Sequence, residues 1–176
     1  MRNCYVQTVG NESTLGIRYY PDGIPNQPGA ILVIEDNTVR AIAGGNGALF
    51  LDSHPLEMVH DVVVRRNLLS GGGYTVYGGS NATNSSSNVK FYDNVWGIDL
   101  YPSGGYWGAV AYYRKGPGNL WSNNTFPNGT FVSPGDEMNR TLLSTCLDAS
   151  GCSAGAFVVT QGVLQTFGMS IIKGCR

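Results

Sequence analysis

One short pattern of apolar and polar positions returns along the chain: an apolar run, a polar or charged residue, an asparagine, and then one or more large side chains. Copies lie at residues 34–39, 64–69, 91–96 and 121–126, with a shortened copy at residues 1–5. The asparagines of these copies are Asn3, Asn37, Asn67, Asn94 and Asn124. They are separated by 34, 30, 27 and 30 residues. Periods of this length are typical of solenoid proteins, in which each repeat forms one coil.

The residues within one repeat predict strands. Residues 62–79 are β-branched and apolar, then rich in glycine, then aromatic and β-branched again. No stretch shows the apolar spacing of a helix, and Gly71, Gly72 and Gly73 would destabilise a helix interior. We therefore predict an all-β solenoid with three short strands per coil, stacked into parallel sheets. About five coils are expected over residues 1–132.

The asparagine at a fixed place in each coil predicts a hydrogen-bonded ladder. Asparagine tolerates the left-handed backbone of a sharp bend, and its amide both donates and accepts hydrogen bonds. Strand alternation then directs the residues three before and two after each asparagine into the interior. These residues are Ile34, Val64, Phe91 and Trp121 before it, and Tyr5, Val39, Leu69, Trp96 and Phe126 after it.

The residue directly before each asparagine alternates in charge from coil to coil. This column reads Arg2, Asp36, Arg66, Asp93 and Asn123. Opposite charges on adjacent strands favour stacking and like charges oppose it, so we interpret the column as a register device. The pair Arg65 and Arg66, opposite Glu35 and Asp36, is open to a second interpretation as a site for an acidic sugar.

The repeat ends at residue 132. Residues 133–176 predict a non-repeating C-terminal cap, with a short helix over residues 137–147 and strands within residues 155–172. Such a unit protects the open end of a solenoid. At the other end, Met1 lies only two residues before Asn3, so we expect the N-terminal coil to meet another subunit or to have been cut from a longer chain.

Composition excludes several classes of function. Charged residues make up 13% of the chain, the formal net charge is −1 and the isoelectric point is near 6.0. This lacks the basic footprint of a nucleic-acid-binding protein. There is no run that would span a membrane. The three consecutive glycines lack the Lys-Ser/Thr of a phosphate-binding loop, and neither a cofactor nor a metal is predicted.

Four cysteines leave the disulfide pairing open. Cys146 and Cys152 are close enough in sequence to close a small loop. Cys175 can reach Cys4 only in a neighbouring subunit or by a long return of the chain. Zinc is the weaker interpretation, because no histidine lies near the C-terminal cysteines and the spacings are not those of a finger.

Sequons for N-linked glycosylation are frequent. They begin at Asn11, Asn81, Asn84, Asn123, Asn128 and Asn139. Some carry glycans if the protein is secreted by a eukaryote, whereas a chain rich in Asn, Ser and Thr also produces sequons by chance. Asn123 is the least suited, because the neighbouring ladder would partly bury it.

Residues 1–132 resemble the right-handed parallel β-helix superfamily, the pectate-lyase-like fold. The segments 105–110 (GYWGAV) and 118–124 (GNLWSNN) are similar to a C-terminal coil signature of actinobacterial and phage-associated β-helix proteins. The resemblance implies a right-handed coil. Members of the wider superfamily include polysaccharide lyases, hydrolases and epimerases, and also phage tailspikes.

Candidate catalytic residues are few. The segment Asp52-Ser53-His54-Pro55 resembles the Asp-Pro-His-Asp motif of alginate epimerases, but its proline is displaced and the final aspartate is absent. His54 is a candidate general base tuned by Asp52, and a turn is the alternative role of the pair. The acids are otherwise too sparse for the calcium cluster of a lyase or the paired carboxylates of a hydrolase.

Aromatic residues suggest contact with carbohydrate. The candidates are Tyr19, Tyr77, Tyr106, Trp107, Tyr112 and Tyr113. Rings on a flat β-helix face suit sugars, which present apolar faces together with hydroxyls, although the same residues also serve as partly buried packing.

Three functional hypotheses follow. The favoured one is an extracellular or virion structural module that assembles end to end with copies of itself, as a filament or fibre, and presents a glycan-contacting or glycosylated surface. The second is a fragment of a polysaccharide lyase, hydrolase or epimerase. The third is a carbohydrate-binding piece of a tailspike or adhesin.

Overall fold

The computed structural model describes residues 1–9, 15–20, 31–42, 44–53, 58–81, 83–134, 157–160, 163–166, 170–173 and 175. This part of the chain is all-β and contains fifteen strands and no helix. In chain order they are β1 (Tyr5–Thr8), β2 (Leu15–Tyr19), β3 (Leu32–Glu35), β4 (Thr38–Arg40), β5 (Gly47–Leu51), β6 (His60–Arg65), β7 (Leu68–Ser70), β8 (Tyr74–Gly78), β9 (Ser87–Tyr92), β10 (Val95–Gly97), β11 (Gly108–Ala111), β12 (Leu120–Ser122), β13 (Phe157–Thr160), β14 (Val163–Thr166) and β15 (Ser170–Lys173).

Three parallel sheets run along a β-solenoid. Sheet A contains β3, β6, β9 and β12; sheet B contains β1, β4, β7 and β10; sheet C contains β2, β5, β8 and β11. Each coil contributes one strand to A, then B, then C. The described strands complete three coils, β3–β5, β6–β8 and β9–β11. The five predicted copies therefore correspond to about three full turns, with partial coils before and after them.

Columns of apolar side chains fill the interior. Ile34, Val64 and Phe91 occupy paired positions of sheet A and are at most 1% exposed. In sheet B the equivalent column is Val39, Leu69 and Trp96, which are fully buried. Because one side chain in two points inward along each strand, this spacing keeps the core continuous from coil to coil.

An asparagine ladder joins the coils at the bend between sheets A and B. Asn37, Asn67, Asn94 and Asn124 are each at most 3% exposed. The Oδ1 atoms of Asn67, Asn94 and Asn124 accept hydrogen bonds from the backbone N–H and the Nδ2 of the preceding rung, over 2.9–3.2 Å. The Nδ2 groups of Asn67, Asn94 and Asn124 also donate to backbone carbonyls. The ladder thus satisfies buried amides that would otherwise carry a desolvation cost.

The first coil corrects two details of the sequence-based register. Cys4, not Asn3, occupies the rung: its N–H donates to Asn37 Oδ1 over 2.9 Å. Consistently, Val6 pairs with Val39 and is fully buried, whereas Tyr5 is only half-buried. Asn3 instead occupies the left-handed position of the bend, with φ of 56°.

Left-handed backbone is found one residue before each rung. Asp36, Arg66, Asp93 and Asn123 have φ between 50° and 57°. The ladder asparagines themselves are therefore selected for their hydrogen bonds. The preceding residue takes the backbone strain, for which Asn and Asp are the best suited side chains after glycine.

The C-terminal strands pair with the first coil. β15 is antiparallel to β1, and β13 is parallel to β2 and antiparallel to β14. Sheets B and C are thereby extended beyond the first coil, so β1 and β2 are paired within the chain. That this coil meets another subunit or was cut from a longer chain stays a prediction. The predicted helix over residues 137–147 lies outside the described residues.

The last coil is covered locally by its own chain. Residues 125–131 turn back so that Thr125 and Phe131 form an antiparallel bridge. Val132 is then 3% exposed, and its carbonyl accepts the indole N–H of Trp121 over 2.8 Å. The N–H of Val132 also donates to the backbone carbonyl of Asn124 over 2.8 Å. The fold-back therefore packs against the last asparagine of the ladder.

No described segment forms a helix of the length and hydrophobicity that a bilayer crossing requires.

Candidate functional site

Aromatic rings stack along the outer face of sheet C. In β5 and β8 the residues Leu49 and Val76 point into the core, so their neighbours Phe50 and Tyr77 point outward. The Phe50 and Tyr77 rings stack with centroids 4.3 Å apart, and Tyr112 continues the stack 6.2 Å beyond Tyr77. Covered by its neighbours, Tyr77 is only 7% exposed, so this stack mainly supports the rings beside it.

The loop between β10 and β11, residues 98–107, is fastened to the bend formed by the three glycines. Three backbone hydrogen bonds run from Gly71 N to Gly104 O (2.9 Å), from Tyr106 N to Gly72 O (2.9 Å) and from Trp107 N to Gly73 O (2.8 Å). A Cβ added at Gly73 would collide with the Trp107 indole. The glycines therefore provide left-handed backbone at Gly71 and Gly72 and space for the indole at Gly73.

Four rings follow one another from sheet C onto this loop. Tyr74, the first residue of β8, lies 5.9 Å from Trp107, which lies 6.0 Å from Tyr106, which lies 5.8 Å from Tyr101. Successive ring planes are inclined by 52°, 73° and 75°. Tyr106 is 68% and Trp107 48% exposed, and we name these two residues the aromatic corner.

The aromatic corner combines apolar ring surface with two polar groups, the hydroxyl of Tyr106 and the indole N–H of Trp107. Aromatic rings with a polar edge bury well against ligands that are themselves part apolar and part polar. The backbone hydrogen bonds to the glycine bend fix the main chain of both residues before any ligand binds, which reduces the loop entropy lost on binding. This arrangement is suited to binding a ligand against the faces of the rings, and such binding requires no reactive side chain.

The structure separates the six predicted aromatic residues into two groups. Tyr106 and Trp107 are exposed and Tyr112 is half-buried. Tyr19, Tyr77 and Tyr113 are at most 8% exposed, and Tyr113 packs inside, where its hydroxyl donates to Val89 O over 3.1 Å. Sequence analysis missed Tyr74 and Tyr101. The position of Tyr74 directly after the glycines was the available signal.

No protein-family model, curated protein or solved structure matches this chain.

Asp52, the weak catalytic candidate, is engaged in an ion pair. It is 9% exposed and is bound by Arg18 of the preceding coil, whose Nε lies 3.1 Å from Oδ2. Its proposed partner His54 lies outside the described residues. Among those residues there is also no cluster of three or more His, Cys, Asp or Glu that would hold a metal ion.

A cluster of charges lies on the coil bend, at Glu35. The side chain of Glu35 is only 3% exposed and is bound by Arg2, by Arg65 over 2.6 Å and by Arg66 over 3.0 Å. Arg66 also forms two hydrogen bonds with Asp36 over 2.7 and 2.8 Å. These pairs lie between neighbouring coils, which supports the interpretation of charge balance over that of an acidic-sugar site.

The arginines change the titration of both carboxyls. Hydrogen bonds from Arg2 and then Arg65 lower the pKa of Glu35, and a hydrogen bond from Arg66 lowers the pKa of Asp36. A lowered folded pKa means that the stabilising contribution is complete above the unfolded pKa. It is lost as the pH falls through the folded pKa.

Acid is therefore expected to weaken the fold in part through Glu35. Urea midpoints of the wild type and of Glu35→Gln should differ most at pH 7, where the variant leaves Arg2 and Arg65 without this carboxylate and Arg66 with Asp36 alone. The difference should narrow as the pH falls from the unfolded pKa of about 4.3 through the lowered folded pKa, because the unfolded chain takes up the proton first and the folded carboxylate is lost only at the lower pH. Asp99→Asn, which removes an exposed pair with Arg40, is the matched control. A difference that stays constant down to pH 3 would contradict this role.

The sequons differ in accessibility. Asn84 and Asn128 are exposed, whereas Asn81 is half-buried and its Oδ1 accepts the backbone N–H of Thr83 (3.0 Å) and of Asn84 (2.7 Å). The predicted sites Asn11 and Asn139 lie outside the described residues. Asn123 is exposed, and its Nδ2 donates to Asp93 over 2.6 Å.

A disulfide joins Cys4 to Cys175 within the chain, with Cα atoms 4.4 Å apart. Of the two routes left open by the sequence, the long return is the one observed. The predicted pair Cys146 and Cys152 lies outside the described residues.

Proposed function

We propose that this chain is a non-catalytic carbohydrate-binding module built on a β-solenoid. The observation that carries the proposal is the exposed aromatic corner of Tyr106 and Trp107, held on the glycine bend. Trp and Tyr bind sugars because the rings cover the apolar faces of the sugar while hydroxyl groups remain hydrogen-bonded at the edges. Asp52 is ion-paired with Arg18, which gives a hydrolytic or lyase mechanism less support.

The proposed setting is extracellular or at a virion surface. The disulfide between Cys4 and Cys175 supports it, since structural disulfides persist in oxidising compartments. The exposed sequons Asn84 and Asn128 fit the same setting.

End-to-end assembly receives less support than binding. Stacking would require the free edges of β1 and β2, which β15 and β13 occupy. At the other end, the fold-back of residues 125–131 covers the last rung. We therefore do not include a filament in the proposal.

Trp107→Ala is expected to weaken glycan binding at least about tenfold, the effect of losing about 1.4 kcal/mol at a central aromatic contact. Ligands found on a glycan array should be titrated against the wild type and the variant by calorimetry. Tyr106→Phe, which keeps the ring, should retain most of the affinity.

Two further variants sharpen the test. Gly73→Ala leaves both rings in the sequence but displaces the indole, so it should also weaken binding. Phe131→Ala removes a ring that is 73% exposed on the last coil and should leave binding unchanged. A chain that binds no glycan, or a Trp107→Ala variant with wild-type affinity, would refute the proposal.

A further inference from the structure

The two rings of the aromatic corner are not coplanar. Tyr106 is inclined by 73° to Trp107, and the flanking rings Tyr101 and Tyr74 are inclined by 75° and 52° to their neighbours. A crystalline polysaccharide presents many parallel sugar faces at once and needs coplanar rings to contact them. Tilted rings instead offer one ring-sized face with a second ring beside it.

The surroundings of the corner are electrically balanced. Asp99 is the single charged residue of the loop 98–107, and it pairs with Arg40 over 2.6 Å. Along sheet C, the strands β5, β8 and β11 carry no charged residue, and Arg18 of β2 pairs with Asp52. An acidic glycan would require an uncompensated cation beside the rings. Arg65 and Arg66 lie instead at the Glu35 cluster, in sheet A and the bend that follows it, where both pair with Glu35.

We infer that the ligand is a soluble, neutral glycan of gluco-configured pyranoses, bound as a single chain or by its terminal unit. Such sugars carry equatorial hydroxyls, so both faces of the ring are C–H surfaces that pack on an aromatic face. One unit would lie on the exposed face of Trp107, whose other side is against Gly73, with Tyr106 beside it. This inference rests on the proposed function and specifies its ligand.

The test compares four probes at one protein concentration: soluble cellohexaose, soluble chitohexaose, microcrystalline cellulose and an oligogalacturonate. Binding to the soluble neutral hexasaccharides is measured by quenching of tryptophan fluorescence and by calorimetry, and binding to the solid by depletion from solution. The expected result is saturable binding to at least one hexasaccharide. Trp107→Ala should weaken it at least about tenfold, and Phe131→Ala should not change it.

The outcomes separate the two proposals. Binding only to the crystalline solid, or only to the acidic oligomer, with loss in Trp107→Ala, would overturn the inference about the ligand and keep the proposed carbohydrate-binding function. Binding to none of the probes, with no signal on a glycan array, would overturn both. Hexasaccharide binding that Trp107→Ala leaves unchanged would show that the aromatic corner is not the site and would also overturn both.

Discussion

Replacing Asn67 by alanine is expected to lower the free energy of unfolding by about 3–6 kcal/mol, because several buried polar groups lose their partners at about 1–3 kcal/mol each. Asn67 Oδ1 accepts the backbone N–H and the Nδ2 of Asn37, over 3.0 and 2.9 Å. Its Nδ2 donates to Ile34 O and Arg65 O, over 2.9 and 3.0 Å. Since a domain is stable by about 5–15 kcal/mol, this loss would leave the fold marginal.

Chemical unfolding followed by circular dichroism measures this effect. Asn84→Ala is the matched control, because Asn84 is an exposed asparagine in a loop and its side chain is not part of the ladder. The free energy of unfolding of this variant should stay within about 0.5 kcal/mol of the wild-type value. A loss below about 1 kcal/mol in Asn67→Ala would mean that the ladder is not buried as the structure places it.

Breaking the disulfide between Cys4 and Cys175 should produce the second largest effect, a loss of about 2–5 kcal/mol. The two residues are 171 positions apart, so the bond restricts a very long loop of the unfolded chain. It also fastens the C-terminal segment to the first coil, where β15 pairs with β1. Reduction should therefore lower the urea midpoint. It should also make proteases cleave within residues 157–173 earlier than within the coils.

The variant Cys4→Ser/Cys175→Ser separates this bond from other effects of a reductant. The urea midpoint of the unreduced variant should match that of the reduced wild type. Since the variant has no bond between positions 4 and 175, a reductant cannot lower its midpoint by breaking that bond. Peptide mapping of the unreduced protein should recover the Cys4 and Cys175 peptides as one linked species. Recovery of free thiols at both positions in freshly purified protein would contradict the pairing.

The coils and their interior could be predicted from the sequence because they depend on local alternation repeated at a nearly constant period. The columns of Ile34, Val64 and Phe91 follow directly from counting back from each asparagine. The same counting failed at Asn3, because the backbone alone forms the first rung and no side-chain amide marks its position. The N–H of Cys4 donates to Asn37 Oδ1, and its carbonyl accepts the N–H of Thr38, each over 2.9 Å.

The candidate site was only partly predictable. Tyr112 and Tyr113 were both candidates for exposure, but Tyr112 has a φ of 56°, so alternation breaks there and Tyr113 turns into the core. The sequence placed Trp107 on a loop. Its packing against Gly73 could not be predicted, because it depends on contact between two segments from different coils. The return of the C-terminal strands to the first coil is similarly non-local and leaves no periodic signal.

Residue-resolved amide hydrogen exchange tests the central claim, a solenoid held in register by stacked asparagines, most directly. The backbone N–H groups of Asn37, Asn67 and Asn94, each bonded to the next rung, should exchange only through global unfolding and share its free energy. Exchange at these three positions as fast as at the backbone amide of Asn128, an exposed turn residue, would show that the ladder does not exist in solution.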